Sequence, residues 1–448
     1  MNNYTRMIGS AFGVSCLLQG FALPAQAAGT GVPPFMKGEY TPGKVGRAQY
    51  PPGTGATQTS GLQQSCDWAP NYGDTSTQNL AFPEANATYW QASPPQSIAA
   101  GAQIRIDGHF PDARFFSISL YNGSWQLLGT LNDYEMVADS GTRPFLAPTR
   151  PNTSVARGQA YTAYIDFAGA PAAAARNTLY APPPRAGLLG GTQPQKLYLL
   201  YRVYVPGAQT ASGDVPLPAL SISGQAFSAP AQSPACRNTI AQVLQNLLFA
   251  IPIRPGQPAF GTPKAPAFTV YKDSGVPGLD VGVSGSNQYM SAKPTLPAGY
   301  VYMIRGRAPS YTASPKLAGG AAANTRYWSL CQNTSISTEV VACVGDFQAV
   351  LDRGGYYHVV VSNEASAPEY ADAGHGYNWM PFGPQSPAAV IYRQMLADPA
   401  FPGAIGGASM GAYTPQIAYC TVSAFQSLAS AYPASPDMVF QACGGANL

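Results

Sequence analysis

Two stretches of this chain tell one story. "AGAQIRIDGHFP" (100–111) parallels "AGYVYMIRGRAP" (298–309), with Ala, Gly, Ile, Gly and Pro recurring in register. "RFFSI" (114–118) parallels "RYWSL" (326–330), and "DYEMVADSG" (133–141) parallels "DFQAVLDRG" (346–354). "AYTAYIDF" (160–167) parallels "GYYHVVVS" (355–362). The order is kept at an offset of about 200 residues. One such match is chance; four in sequence point to a duplicated unit.

The repeated blocks alternate as half-buried strands do. Ile104 and Ile106 share a face, as do Phe116, Ile118 and Leu120, and again Tyr356, His358 and Val360. The chain holds 27 Tyr, with 47 Gly and 43 Pro as punctuation, which suits many short strands and turns. The expected fold is therefore mainly β: two related antiparallel β-sandwich domains, jelly-roll-like, from an internal duplication with a connecting helix. "LYLLYRVYVP" (197–206) reads as a strand deep in the first core. Ser233-Pro234 fits a helix start, followed by Ile240, Val243, Leu244, Leu247 and Leu248 at helical spacing. Ser386-Pro387 before "AAVIYRQMLAD" predicts a second helix by the same logic.

The N-terminus predicts export. Arg6 precedes the mostly apolar Met7–Leu23, and Ala25-Gln26-Ala27 fits a cleavage site. The expected division is a signal peptide over 1–27, a flexible Pro/Gly-rich leader over 28–72, and a first sandwich over 73–230. A helical linker over 231–258 and a second sandwich over 259–448 complete it. Polar Ser10, Ser15 and Gln19 interrupt the first apolar stretch, and no later one is long enough to span a membrane. The expected location is secreted or periplasmic. Six cysteines remain after Cys16 leaves with the signal, an even count that suits disulfides in an exported chain. Cys331 and Cys343 close the shortest loop and are the expected pair.

A net charge of +3 with scattered basic residues argues against a nucleic-acid surface. Walker-A, G-x-G-x-x-G and EF-hand patterns are absent, so no cofactor is expected. The three histidines, His109, His358 and His375, form no H-E-x-x-H or paired motif, so no metal centre is expected. Gly407-Ala408-Ser409-Met410-Gly411 spells G-x-S-x-G, yet "DPAFPGAIG" before it is no strand and Pro415 opposes a following helix. Ser409 therefore reads as part of a Gly-rich turn leading into a strand near Cys420. Asp133 and Asp139, like Asp346 and Asp352, stand six apart. That is about 20 Å along a strand, beyond the roughly 5–9.5 Å that glycosidases use. Because both pairs recur, they read as turn-capping groups, with Arg114 and Arg326 as candidate ion-pair partners. No catalytic residue is assigned.

What remains is aromatic. "HGYNWMPFG" (375–383) gathers Tyr377, Trp379 and Phe382 around Asn378, and "YNGSWQ" (121–126) holds Tyr121 and Trp125. Aromatic faces on rigid turns stack on sugar rings or grip apolar ligands. The competing expectation is a loop that folds these rings into the core. At "FPDARFFSISLYN", "LYRVYVP…VPLPAL" and "RYWSLC" the sequence resembles a group of exported, uncharacterised bacterial proteins. It is also loosely similar to cell-envelope proteins with an aromatic-rich C-terminal β-domain. The resemblance spans most of residues 80–420 and implies an exported β-protein, with no activity carried over. The functional expectation is a non-catalytic binding or cell-envelope protein for a glycan or apolar small ligand. The alternative is an extracytoplasmic hydrolase or lyase acting on a polymer between the two domains.

Overall fold

The computed structural model describes residues 68, 71–72, 79, 81–94, 102–151, 158–182, 196–207, 210–222, 225–226, 263–271, 284–312, 323–363, 366–407 and 409–446. The expected signal peptide, most of the leader, Cys66, Cys236 and the helix expected after Ser233 lie outside them.

The first half runs β1 (Asn71–Tyr72), β2 (Ala87–Ala92), β3 (Gln103–His109), β4 (Ala113–Asn122), β5 (Leu127–Asn132), a short pair β6 (Phe145–Ala147) and β7 (Arg150–Pro151), β8 (Ala160–Asp166), β9 (Thr178–Tyr180), β10 (Leu197–Pro206), β11 (Ala219–Ile222) and β12 (Gln225–Ala226). The second half runs β13 (Thr269–Val270), β14 (Asn287–Ala292), β15 (Tyr300–Arg307), β16 (Tyr327–Thr334), β17 (Val340–Gly345), β18 (Tyr356–Ser362), β19 (Asn378–Pro381), β20 (Ala388–Met395) and β21 (Gln416–Thr421). Helices α1 (Val422–Ala431) and α2 (Pro436–Ala442) follow.

The sheet orders repeat. β1-β2-β10-β4-β5 in the first half matches β13-β14-β20-β16-β17 in the second. β12-β11-β3-β8-β9 matches β21-β15-β18-β19. Each half is thus a two-sheet sandwich, mainly antiparallel, with one parallel pair at the same place: β8 with β9, and β18 with β19. The register repeats as well. Arg202 stands opposite Tyr89 and Ser117, and Arg393 opposite Tyr289 and Ser329.

Alternation explains the two cores. Phe116, Ile118 and Leu120 meet Leu199, Tyr201, Val203, Ile104, Ile106, Tyr161 and Ile165 in the first. Trp328, Leu330, Val390, Tyr392, Ile304, Tyr357 and Val359 fill the second. Burying each such side chain contributes about 1.5–3 kcal/mol. Each core has the same close approach. A Cβ on Gly108 would meet the Tyr161 ring at 2.5 Å, and one on Gly306 would collide with Tyr357. Glycine is needed there to let the ring lie flat on the strand.

The helix expected after Ser386-Pro387 is instead strand β20. Val390 and Tyr392 enter the core while Arg393 faces the other way, a period of two inside a run short enough to mimic helical spacing. Two helices occur among the described residues, both after β21, and they cover β15, β18 and β21 through Val301, Met303, Val360, Ala418, Phe425, Val439 and Phe440. The residues in register on the first half, Gln103 and Arg105 on β3, are exposed. Among the described residues the disulfides are Cys331–Cys343, across β16 and β17, and Cys420–Cys443, from β21 to the end of α2. No helix among the described residues is long and apolar enough to cross a membrane.

Candidate functional site

The outward faces of the two matching five-stranded sheets meet each other, within one unit spanning Tyr40–Leu448. Ala87, Phe115, Tyr204 and Val205 pack there against Tyr327 and Met395. The segment before β2 straps the far edge: Asn79 donates to the Val340 carbonyl at 2.9 Å and accepts from its amide at 2.8 Å. Phe82 N–H donates to Thr338 O at 2.7 Å.

The repeated Arg and Asp residues pair across this junction, each with the other half. Arg326 Nη1 donates to Asp133 Oδ2 at 3.0 Å, and both side chains are fully buried. Arg114 Nη1 pairs with Asp346 Oδ1. The exchange is that of an isologous two-fold contact made within one chain. Each carboxylate also holds its own half. Asp133 Oδ2 accepts from Phe116 N–H at 3.4 Å, and Asp346 Oδ2 from Trp328 N–H at 3.2 Å. Burial raises both carboxyls, and the facing arginines only partly offset it. Asp133 is pushed up to about 6 and Asp346 to about 7. The guanidiniums also lie over rings, Arg326 3.9 Å from Phe145 and Arg114 4.9 Å from Tyr311.

Asp133 and Asp346 therefore join the halves as well as accepting from nearby backbone amides. Asp352 does cap its own turn, accepting from the amides of Gly354 at 2.8 Å and Tyr356 at 2.9 Å, whereas Asp139 accepts from that of Thr162, 23 residues on, at 2.9 Å.

A second buried polar set lies in the same layer. Arg393 donates to Glu84 Oε2 at 3.4 Å and to Phe82 O at 2.6 Å. Its repeat counterpart Arg202 donates to Ser119 Oγ at 2.6 Å and to the Tyr121 hydroxyl. Tyr89 and Tyr204 share a hydroxyl–hydroxyl bond of 2.9 Å. Burial pushes the Tyr89, Tyr204 and Tyr289 phenols up, so they stay protonated donors.

The aromatic candidates separate here. Tyr377 and Phe382 are buried, and Asn378 spends its amide on the backbone. Asn378 Oδ1 accepts from Val350 N–H at 2.9 Å, and its Nδ2 donates to Val350 O at 3.0 Å and His358 O at 3.2 Å. Asn177 does the same in the first half, with Val137 and Thr162. Trp379 is half-buried and donates to Ser362 Oγ at 3.0 Å. The 375–383 segment thus folds its rings inward, because β19 adds to the sheet beside β18. Tyr121 is fully buried against Arg202, with its ring 5.6 Å from Trp125.

Trp125 is half-buried at the tip of the β4–β5 turn. Asn122 Oδ1 accepts from Ser124 N–H at 2.9 Å and Gln126 N–H at 3.0 Å, closing that turn, and Trp125 takes a left-handed φ of 61°. Its ring stacks on Tyr198 at 4.3 Å and 12°, and the Lys196 ammonium lies 5.2 Å from the Tyr198 centroid. Sequence reading missed Tyr198 and Lys196. The strand that holds Tyr198 and follows Lys196 was legible, but the outward direction of its even-numbered residues was hidden by an unbroken apolar run.

Ser409 is exposed in irregular chain before β21. His358 and His375 make their bonds to Asp352 and Asp372, at 3.0 Å and 2.9 Å. Two clusters of potential metal ligands occur among the described residues: Glu84, Cys331, Cys343 and Asp352, His358, Asp437. In the first the two sulfurs are bonded to each other, so neither is a free thiolate.

No family model matches the chain, and no curated protein matches it. It is similar to solved structures that are themselves uncharacterised. One, an uncharacterised protein from Burkholderia cenocepacia, has 12% identity and a TM-score of 0.45, covering 78% of this chain and 79% of that one. Another, from Vibrio parahaemolyticus, has 11% identity and a TM-score of 0.38, covering 75% of this chain and 90% of that one.

Proposed function

We propose that the chain is an exported, non-catalytic binding protein of the cell envelope or its surroundings, taking a glycan or an apolar small ligand. The observation that carries this is the Trp125–Tyr198 stack, held by a side-chain-closed turn with a cation beside it. A fixed, partly exposed aromatic plane offers contact area with little ordering entropy left to lose. Two disulfides among the described residues, in a chain with a signal-like start, are in keeping with an oxidising compartment. The polymer-acting alternative needs open space between the halves, where the swapped ion pairs and the Tyr204–Tyr327 contact now lie.

The test is a soluble oligosaccharide panel and an apolar fluorescent dye titrated against the mature protein, with mass spectrometry of any products. Saturable binding without products, weakened at least about tenfold in Trp125→Ala, is the expected result. Released products would replace this reading with the hydrolase or lyase, and binding indifferent to Trp125→Ala would move the site elsewhere.

A further inference from the structure

The two halves differ at one register position that carries a titratable group in the second half alone. Thr162 on β8 of the first half stands opposite Asp107 and bonds Asp139 Oδ2 at 3.2 Å. The matching residue of the second half is His358, opposite Arg305, and its Nε2 lies 3.0 Å from Asp352 Oδ2. A third group comes from outside the duplicated strands. Asp437, in the first turn of α2, lies beside both, and one ligand atom each from Asp352, His358 and Asp437 falls within 4.8 Å of the others. His358 is fully buried, and its Nδ1 has no hydrogen-bond partner among the described residues. Asp437 is 37% exposed, which leaves an approach from solvent.

We propose that Asp352, His358 and Asp437 form a binding site for a divalent transition-metal ion of the zinc class, tying the sheet to the C-terminal helix. One imidazole and two carboxylates are the mixed nitrogen–oxygen set such ions take, at about 2.0–2.2 Å. Small side-chain rotations bring three atoms already within 4.8 Å to those distances. Binding takes Nε2 as the donor atom of a neutral imidazole, so the ring's one proton sits on Nδ1. Asp352 is ready as a ligand. Its Oδ1 accepts from Gly354 N–H at 2.8 Å and Tyr356 N–H at 2.9 Å, which fixes the carboxylate with Oδ2 toward the His358 ring.

Arg305 is the internal competitor. Its Nε contacts Asp437 Oδ1, and its guanidinium lies 4.0 Å from the Tyr356 ring. With a neutral imidazole, two carboxylates against one guanidinium leave the cluster at one net negative charge. An ion is therefore attracted, though more weakly than at an unopposed site.

The test uses the full disulfide-bonded protein, stripped with a chelator and titrated with Co2+ and then Zn2+. The site predicts one equivalent of Co2+ with visible ligand-field bands, displaced by Zn2+. His358→Ala abolishes the bands and Asp437→Asn weakens uptake about 10–100-fold. Arg305→Met, checked for native circular dichroism, tightens uptake. No stoichiometric Co2+ uptake by the parent protein, or uptake unchanged in His358→Ala, overturns the proposal. The glycan and dye titrations of Trp125 are indifferent to either outcome.

Discussion

Asp133→Ala tests whether the halves are truly locked by exchanged charges. Asp133 and Arg326 are both fully buried, 3.0 Å apart, and the pair comes from opposite halves. Removing the carboxylate leaves a guanidinium that must stay charged in a fully buried site, an imbalance of about 3–5 kcal/mol. The Pro148 and Arg114 carbonyls still accept from Arg326, so the lower part of that range is expected. At pH 8 both carboxyls are ionised, given the raised values of about 6 and about 7. Urea unfolding of the protein at that pH, followed by tryptophan fluorescence, gives the loss. A double-mutant cycle with Arg326→Met then isolates the pair. Strong coupling between Asp133 and Arg326, with little between Asp133 and Arg114, is the expected outcome. A loss below about 1 kcal/mol, or coupling to Arg114 of its own half instead, would refute the exchanged arrangement.

Other consequences are direct. Asp133 and Asp346 have folded values raised above the ordinary 3.8 by burial, so the native protein holds protons that the unfolded chain has released. Stability should therefore decline as pH rises from about 4 to about 7 and then level off, read from melting temperatures across that window; a rise over the same span would contradict the burial argument. Gly306→Ala places a methyl group into the Tyr357 ring and should destabilise by about 1–3 kcal/mol in urea unfolding, with Gly108→Ala alike against Tyr161. Cys443→Ser opens the loop of sequence separation 23 that pins α2 and should remove about 3 kcal/mol from the unfolding free energy, with faster proteolysis after Thr421.

The repeat was legible because its strands alternate on a period of two, and a duplicated pattern survives where chemistry must. Arg followed by two aromatics and Ser marks β4 and β16 because each position has its own duty: the arginine crosses to the other half, one ring faces the junction, the next enters the core, and the serine lies opposite an arginine. The Cys331–Cys343 pair was legible from loop length. The β20 strand was misread because "AAVIYRQM" is too short for its period to be unambiguous, and the sequence left the inward fold of Tyr377 and Phe382 as one of two readings because local sequence does not say that a segment will join a sheet edge.

The sequence by itself determined the β character, the doubling and the positions of the four charged residues, Arg114, Asp133, Arg326 and Asp346. Tertiary structure alone decided which carboxylate each arginine meets. Local pattern fixes which way a side chain leaves its strand, but its partner depends on how two sheets stack, a long-range arrangement that neither copy encodes on its own. The same holds for Asp437, which reaches His358 only because a disulfide-pinned helix folds back across the sheet.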